Sequence, residues 1–262
     1  MTLIGASIRG LILDMDGVLW RSNQPIGDLP AIFAEMERRG YRVILATNNA
    51  TLTVNSYLEK LIGFGVRLQR CQIVSSSQAT AHYLHQLYPL GSPVFIIGEE
   101  GLVEALGEQG FYHDDGEASA VVVGWDRQLT YEKLRRAALL IRNGASFIAT
   151  NPDRTYPTPE GLVPGNGATL AALEAATDVK PIVVGKPSPE MYRVALERLQ
   201  TSQAETLVVG DRLETDIAGA QALGCPTGLV LSGVTGKAEA FAWEPPLDLI
   251  AGDLATLLES IE

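Results

Sequence analysis

The chain has 262 residues, of which only two are cysteines and three are histidines. Cys71 and Cys225 lie far apart with no metal-ligand spacing, which suits reduced, packed thiols better than a disulfide framework. His82 and His85 sit one helical turn apart with no third ligand nearby, which reads as a solvated helix face and not as a zinc site. Apolar runs are also short. None approaches the ~20 residues that a membrane span requires, and the first strand is interrupted by Asp14, so neither a transmembrane helix nor a signal h-region fits. A cytoplasmic protein without a membrane partner is the expectation. Basic residues are few, 20 Lys and Arg against 31 Asp and Glu for a formal net charge of −11. That balance argues against nucleic acid, which needs a basic face. An anionic ligand would need local help from a divalent cation and a few placed donors.

What the chain does have is a 46% hydrophobic share, enough to fill the core of one large domain or two modest ones. Apolar runs ending in Gly, Asp, Asn or Pro recur: ILD (12–14), VILATN (43–48), VFIIG (94–98), VVVGWD (121–126), FIATN (147–151), IVVGKP (182–187) and LVVGD (207–211). Between them lie DLPAIFAEMERRG, TVNSYLEKLIGFG and SPEMYRVALERLQ, with apolar residues at three and four spacing and, in the first two, a closing Gly. Strand and helix alternating in this way predict an α/β fold of parallel sheets covered by helices. The units keep no fixed period, so they are not a solenoid. Residues 79–182 repeat the alternation on their own and read as an inserted domain, with 1–78 and 183–262 forming a discontinuous core; turn residues at LYPLGSP (87–93) and ATDVKP (176–181) mark the crossings.

Ligands of open parallel sheets bind at the carboxyl ends of the strands, and Asp14, Thr47, Asn48, Lys186 and Asp211 all stand at such ends. In GLILDMDGVLW the carboxylates of Asp14 and Asp16 would point the same way on a regular strand, but Gly17 lets the chain turn and give them separate tasks. An acidic turn that binds a stray cation is the plain alternative. Thr47, Asn48 and Asn49 in TNN offer neutral donors suited to a phosphoryl oxygen, and they also suit ordinary helix caps. Lys186, between Gly185 and Pro187 at an apolar strand end, needs an anionic partner. Asp211 and Asp216 close LVVGDRLETD, and Asp216 equally suits the first turn of a helix.

Taken in order, DMDGVLW, TNN, GKPSP and GDRLETDI resemble the motifs of the haloacid dehalogenase superfamily of phosphotransferases. The insert lies between the second and third motifs and resembles the large α/β cap (C2 type) of the subgroup that includes NagD-type and p-nitrophenyl phosphatases. TNPDRTYPTPEGLVPGNGATLAALEAAT and VVGKPSPEMY carry that likeness over nearly the whole chain. The fold implied is a Rossmann-like parallel-sheet core with an inserted α/β cap. The activity implied is Mg²⁺-dependent hydrolysis of small phosphomonoesters: nucleotides, sugar phosphates, phosphoglycolate or glycerol phosphate.

By that resemblance Asp14 is the nucleophile that forms an aspartyl phosphate, and Asp16 is the acid and base. Asp16 also favours phosphatase over dehalogenase, since the haloacid-hydrolysing members lack it. Mg²⁺ would be held by Asp14, the backbone carbonyl of Asp16 and Asp211, with Asp216 on a metal-bound water. Thr47, Asn48, Asn49 and Lys186 would hold phosphoryl oxygens. Trp20 falls in the flap WRSNQPIG, either shielding the site or packing. Asn151, Asp153, Arg154 and Tyr156 of the cap loop would choose the substrate, unless the loop is simply rich in turns. The cap histidine of pyridoxal phosphate phosphatases has no counterpart in PTPEGLVP, which makes that substrate a poorer fit. Cap-mediated homodimers occur in the group. PGNGATL (164–170) lacks the third Gly of a dinucleotide loop and reads as a helix start, and the run at 104–118 reads as an acidic surface. The rival from another class is a receiver-type phosphoacceptor, which also sets an Asp, a Thr and a Lys around Mg²⁺ but has neither the insert nor Asp16. Mutases and phosphonatases of the superfamily do not suit an insert in this place.

Overall fold

The computed structural model describes residues 8–158 and 160–261. Its contacts divide the chain into two compact units: one comprises residues up to Thr47, Asn55–Val74 and from Lys186 onward, the other Asn48–Val54 and Ser75–Gly185.

The first unit is built on a six-stranded sheet. Its strands are β1 (Gly10–Leu13), β4 (Arg42–Thr47), β5 (Ile73–Ser75), β13 (Thr206–Gly210), β14 (Thr227–Val230) and β15 (Leu249–Ala251), in the order β15-β14-β13-β1-β4-β5. β1 pairs in parallel with β13 and β4, and β14 pairs in parallel with β13 and β15. Every residue of β1 and β13 is buried, as expected for central parallel strands covered on both faces. Register then aligns the chemistry: Leu13 lies opposite both Val209 and Leu45, so β1, β13 and β4 end side by side. Between β1 and β4 come a hairpin, β2 (Trp20–Arg21) with β3 (Gln24–Pro25), and α1 (Leu29–Arg38). α1 begins where the Asp28 side chain accepts a hydrogen bond from Ala31 N, and it buries Leu29, Ile32 and Met36. α2 (Val54–Gly63), α7 (Pro189–Leu199), α8 (Ala218–Leu223), α9 (Lys237–Ala242) and α10 (Leu254–Glu259) complete the helices around this sheet.

The second unit has its own five-stranded sheet and its own core. β6 (Pro93–Ile97), β7 (Tyr112–His113), β8 (Ala120–Val123), β9 (Ser146–Ala149) and β12 (Ile182–Val183) are ordered β12-β9-β8-β6-β7, and each neighbouring pair is parallel. Phe95, Ile97, Val121, Val123 and Phe147 of that sheet pack against Ala137, Leu140 and Ile141 of α5 (Tyr131–Arg142) and Leu170 and Leu173 of α6 (Asn166–Thr177). α3 (Ser76–Leu87) and α4 (Glu100–Glu108) also belong to this unit, as does the hairpin of β10 (Thr155–Thr158) and β11 (Gly161–Pro164). PGNGATL starts α6: a Cβ at Gly165 would lie 2.5 Å from Asp153 O, and one at Gly167 would lie 2.6 Å from Pro152 O, so both positions admit only glycine against that loop.

The contacts divide the units at 74/75 and 185/186, a few residues from the expected 78/79 and 182/183, and group residues 48–54 with the second unit. Local hydrogen bonds explain this. A capping box at Ser75 starts α3 early, and Ser76 Oγ and Ser77 Oγ donate to Asn48 O and Ala50 O, tying 48–54 to that helix. Gly185 N in turn donates to Thr150 O. Of the strand expected over 182–187, the ladder to β9 covers Ile182–Val183, and Val184 N and Gly185 N still donate to Ala149 O and Thr150 O; Pro187 has no N–H to carry the pairing further. Leu13, fully buried at the centre of the first sheet, is a test of that core: Leu13→Ala should lower unfolding free energy by roughly 2–5 kcal/mol in urea titrations.

Candidate active site

Asp14 follows the last residue of β1, and its N–H donates to Val209 O, which continues the sheet by one step. Asp211 follows β13 directly. After it Leu213–Ile217 forms a wide π turn that folds Asp216 back, so that Asp216 Oδ2 accepts from Asp211 N at 3.2 Å and from Arg212 N at 3.1 Å. The result is a cluster: carboxylate oxygens of Asp14, Asp211 and Asp216 lie within 4.8 Å of one another. Lys186 enters it with Nζ 2.5 Å from Asp14 Oδ1 and 2.7 Å from Asp216 Oδ1, and also donates to Ala46 O at 3.0 Å.

Burial sets the electrostatics. Lys186, Asp211 and Asp216 are buried, and Asp14 is nearly so. Burial pushes the Asp14 carboxyl well above the usual carboxylate range, against the pull of Lys186, and the charges of Asp216 and Asp211 push it further. For Asp211, burial and then the charge of Asp216 raise the pKa to about 6. Burial alone would favour a neutral Lys186, but the negative charges of Asp14 and Asp216 outweigh it and raise its pKa. Behind the cluster Tyr192, fully buried on α7, donates its hydroxyl to Asp216 O and Thr215 O, and burial raises that phenol well above its ordinary value.

Three glycines make room for these side chains. A Cβ at Gly233 would stand 1.9 Å from Asp211 Oδ2, and one at Gly17 would stand 2.4 Å from it; at Gly210 it would meet Asp216 Cβ at 2.2 Å. Gly17 also has φ of +87°, a conformation other residues rarely adopt. The segment 231–235 closes over Asp211: Val234 N donates to its Oδ2 at 2.7 Å and Thr235 N to its carbonyl, while Ser232 Oγ donates to Gly17 O. Sequence reasoning missed this segment and Tyr192. The Ser, Gly and Thr clustered just past β14 in LSGVTG were the available signal.

Asp211 Oδ1 is buried and accepts no hydrogen bond. A buried carboxylate oxygen left open among two other carboxylates, with no thiol or imidazole in the set, fits a hard cation of the Mg²⁺ kind. Asp216, expected to hold a metal-bound water, lies beside the other two carboxylates and pairs with Lys186. Asp16 is outside the cluster. Its side chain is exposed, and its Oδ1 accepts from Trp20 Nε1 at 2.9 Å.

Thr47 ends β4 and is buried in the first unit. Asn48 and Asn49 begin the stretch that goes with the second unit. There Asn48 O accepts from Ser76 Oγ at 2.7 Å and from Asn151 Nδ2 at 2.8 Å, and Asn49 Oδ1 accepts from Thr51 N and Thr51 Oγ1. Asn151 is buried, and its Oδ1 accepts from Asp153 N at 3.1 Å, so both ends of its amide staple the loop. Asp153 is half-buried and its carbonyl accepts from Gly167 N, Arg154 is exposed, and Tyr156 stacks on Trp125 with ring centroids 4.4 Å apart.

Residues 11–112 match the haloacid dehalogenase-like hydrolase family, and residues 183–257 match a second, HAD-hydrolase-like family. A 5'-nucleotidase, YutF of Bacillus subtilis, is 38% identical over 227 residues, which cover 87% of this chain and 88% of that protein. The chain belongs to the haloacid dehalogenase-like hydrolases. Solved structures of the family are similar over most of the chain. The glycerol phosphate phosphatase of Mycobacterium tuberculosis, solved in complex with magnesium, superposes with a TM-score of 0.90 at 35% identity, over 98% of this chain and 78% of that one. NagD of Escherichia coli K-12 superposes with a TM-score of 0.88 at 32% identity, over 95% and 98%. Among the described residues no helix is long and apolar enough to cross a membrane.

Two outcomes test this haloacid dehalogenase-like site. Asp211's pKa of about 6 exceeds the ordinary carboxylate value of about 3.9. The folded chain therefore holds a proton that the unfolded chain gives up, and this contribution to stability is present at low pH and lost as pH rises through about 6. Mg²⁺ competes with that proton, so the rise in Tm that Mg²⁺ produces should be small at pH 5 and larger at pH 7.5, read by scanning calorimetry. Gly233→Ala, whose Cβ collides with Asp211 Oδ2, should remove most of that rise at pH 7.5.

Proposed function

We propose that the protein hydrolyses phosphate monoesters of small metabolites with Mg²⁺, through an aspartyl phosphate on Asp14. The observation that carries this is the buried carboxylate of Asp14 at the end of β1, with its Oδ1 2.5 Å from Lys186 Nζ and two further carboxylates beside it. A carboxylate nucleophile forms an acyl phosphate that water reopens, which suits hydrolysis.

An Asp14 oxygen attacks phosphorus, the bond from phosphorus to the leaving oxygen breaks, and Asp16 gives that oxygen its proton. Water then attacks the phosphoryl group, passes its proton to Asp16, and the bond from phosphorus to Asp14 breaks. Lys186 favours the ionised form of Asp14 against the cost of burial and, with the hydroxyl of Thr47, holds phosphoryl oxygens. Asn48 and Asn49 follow Thr47 directly and are assigned to the same task by their place in the motif. Asp14 and Asp211, with the backbone carbonyl of Asp16, would hold Mg²⁺ beside Asp216, and the ion would offset repulsion between the nucleophile and the phosphate.

The second unit serves as the cap that selects the leaving group. Asp153 and Arg154 are its leading candidates, and Asn151 acts by shaping their loop. Nucleotides, sugar phosphates and glycerol phosphate make up the substrate class, since relatives of these kinds match most of the chain. A net charge of −11 supports a small anion drawn in by a local cation over a nucleic acid. Phosphate release from a panel of monoesters, with Mg²⁺ and with chelator, is the test. Release should require Mg²⁺, and Asp14→Asn should lower it by at least about 10³-fold while leaving the circular dichroism spectrum unchanged. Stable uptake of one phosphoryl group without turnover would instead mark a phosphoacceptor.

A further inference from the structure

We propose that Trp20 is a positioning residue for Asp16, and that its indole N–H decides which carboxyl oxygen carries the proton given to the leaving group. The proposal rests on the phosphatase reading above. It starts from a tight turn: Leu19 N and Trp20 N both donate to Met15 O, and Gly17 N donates to Trp20 O at 2.7 Å, which folds residue 20 back beside residue 16. There Trp20 Nε1 donates to Asp16 Oδ1 at 2.9 Å.

The indole cannot shift easily. Trp20 is 1% exposed, the Lys60 ammonium lies 4.3 Å over its ring, and Phe64 packs at 5.8 Å between centroids. Lys60 is itself held by donating to Ser22 O at 2.7 Å, and Arg21, next in the chain, donates to Ser232 O at 2.6 Å. Asp16, by contrast, is exposed, and the terminal torsion of a free carboxyl is broad. A fixed donor therefore sets the orientation of an exposed acid.

Indole nitrogen only donates, so Oδ1 must accept in either protonation state. In the acid form the carbonyl oxygen is the better acceptor, which leaves the proton on Oδ2. That proton passes to the leaving oxygen as the bond to phosphorus breaks, and Oδ2 takes one back from the water that opens the aspartyl phosphate. Trp20 touches no reacting atom. Its whole effect runs through the aim of Asp16, and an error of about 1 Å in such a group costs on the order of 10²-fold.

The test compares two esters whose leaving groups differ in their need for a proton. Glycerol phosphate must release an alkoxide and needs the acid, whereas p-nitrophenyl phosphate releases a stable phenolate. The quantity read is the ratio of their kcat/KM values, which reports the first phosphoryl transfer. Trp20→Phe keeps a ring for Lys60 and Phe64 and removes only the donor. It should shift the ratio against glycerol phosphate by about tenfold or more, inside the roughly 10²–10⁴ that a general acid supplies. Asp16→Asn should shift it the same way and further. An unchanged ratio in Trp20→Phe beside a shifted one in Asp16→Asn overturns the positioning role while the phosphatase reading stands. Failure of the wild-type protein to release phosphate from either ester overturns both. Should Trp20→Phe not fold, 3-benzothienylalanine at position 20, with sulfur in place of N–H, is read against the same ratio.

Discussion

The buried ammonium of Lys186 is what allows carboxylates to gather at one end of the first sheet. Asp14, Asp211 and Asp216 each lose hydration on folding and repel one another, and burial is the leading cause of the raised pKa of both Asp14 and Asp211. Lys186 answers two of the three directly, at 2.5 and 2.7 Å, and takes a backbone carbonyl for a third bond. Removing one partner from such a set leaves an uncompensated buried charge, costing several kcal/mol. The arrangement is poor for stability by itself. It makes sense as a site whose remaining negative charge is meant for a cation.

The backbone around the cluster is shaped to the same end. Parallel strands in register deliver Asp14 and Asp211 from adjacent ends, and the π turn after β13 brings Asp216 back to accept the N–H groups of Asp211 and Arg212. Glycine at 17, 210 and 233 leaves the volume that the carboxylates fill, and the 231–235 segment supplies donors to Asp211. One oxygen of Asp211 stays open. That open oxygen, inside the carboxylate cluster, is where a metal ion would bind.

The two acids of DMDG live in different surroundings, which suits the two tasks proposed for them. Asp14 is held in the charge cluster, and Asp16 stands exposed on the flap side of the turn with an indole as its partner. The second unit has a separate parallel sheet and a separate apolar core, so its loops can vary without disturbing the carboxylates. Its own polar residues are largely spent on internal bonds: Asn151 ties Asn48 to Asp153, and Asn166 donates to Val123 O and Asn151 O.

The alternating apolar runs determined the α/β class, and Asp14, Asp211 and Thr47 at strand ends pointed to the edge that carries the candidate site; Lys186, also expected at a strand end, lies beyond the end of β12. Both were legible because burial of parallel strands demands continuous apolar runs and a polar residue ending such a run needs a reason. The short strands β5, β14 and β15 were not legible, since three or four residues of mixed character show no period. The same holds for residues 48–54, whose place in the second unit depends on hydroxyls of Ser76 and Ser77 distant in the chain. Only the tertiary structure decided that Asp216 stands inside the carboxylate cluster, that Asn151 is a staple, and that Tyr192, Gly233 and Trp20 frame the acids. Each of these depends on side chains meeting across strands or turns, and such distances are set by packing and register, which no local pattern encodes.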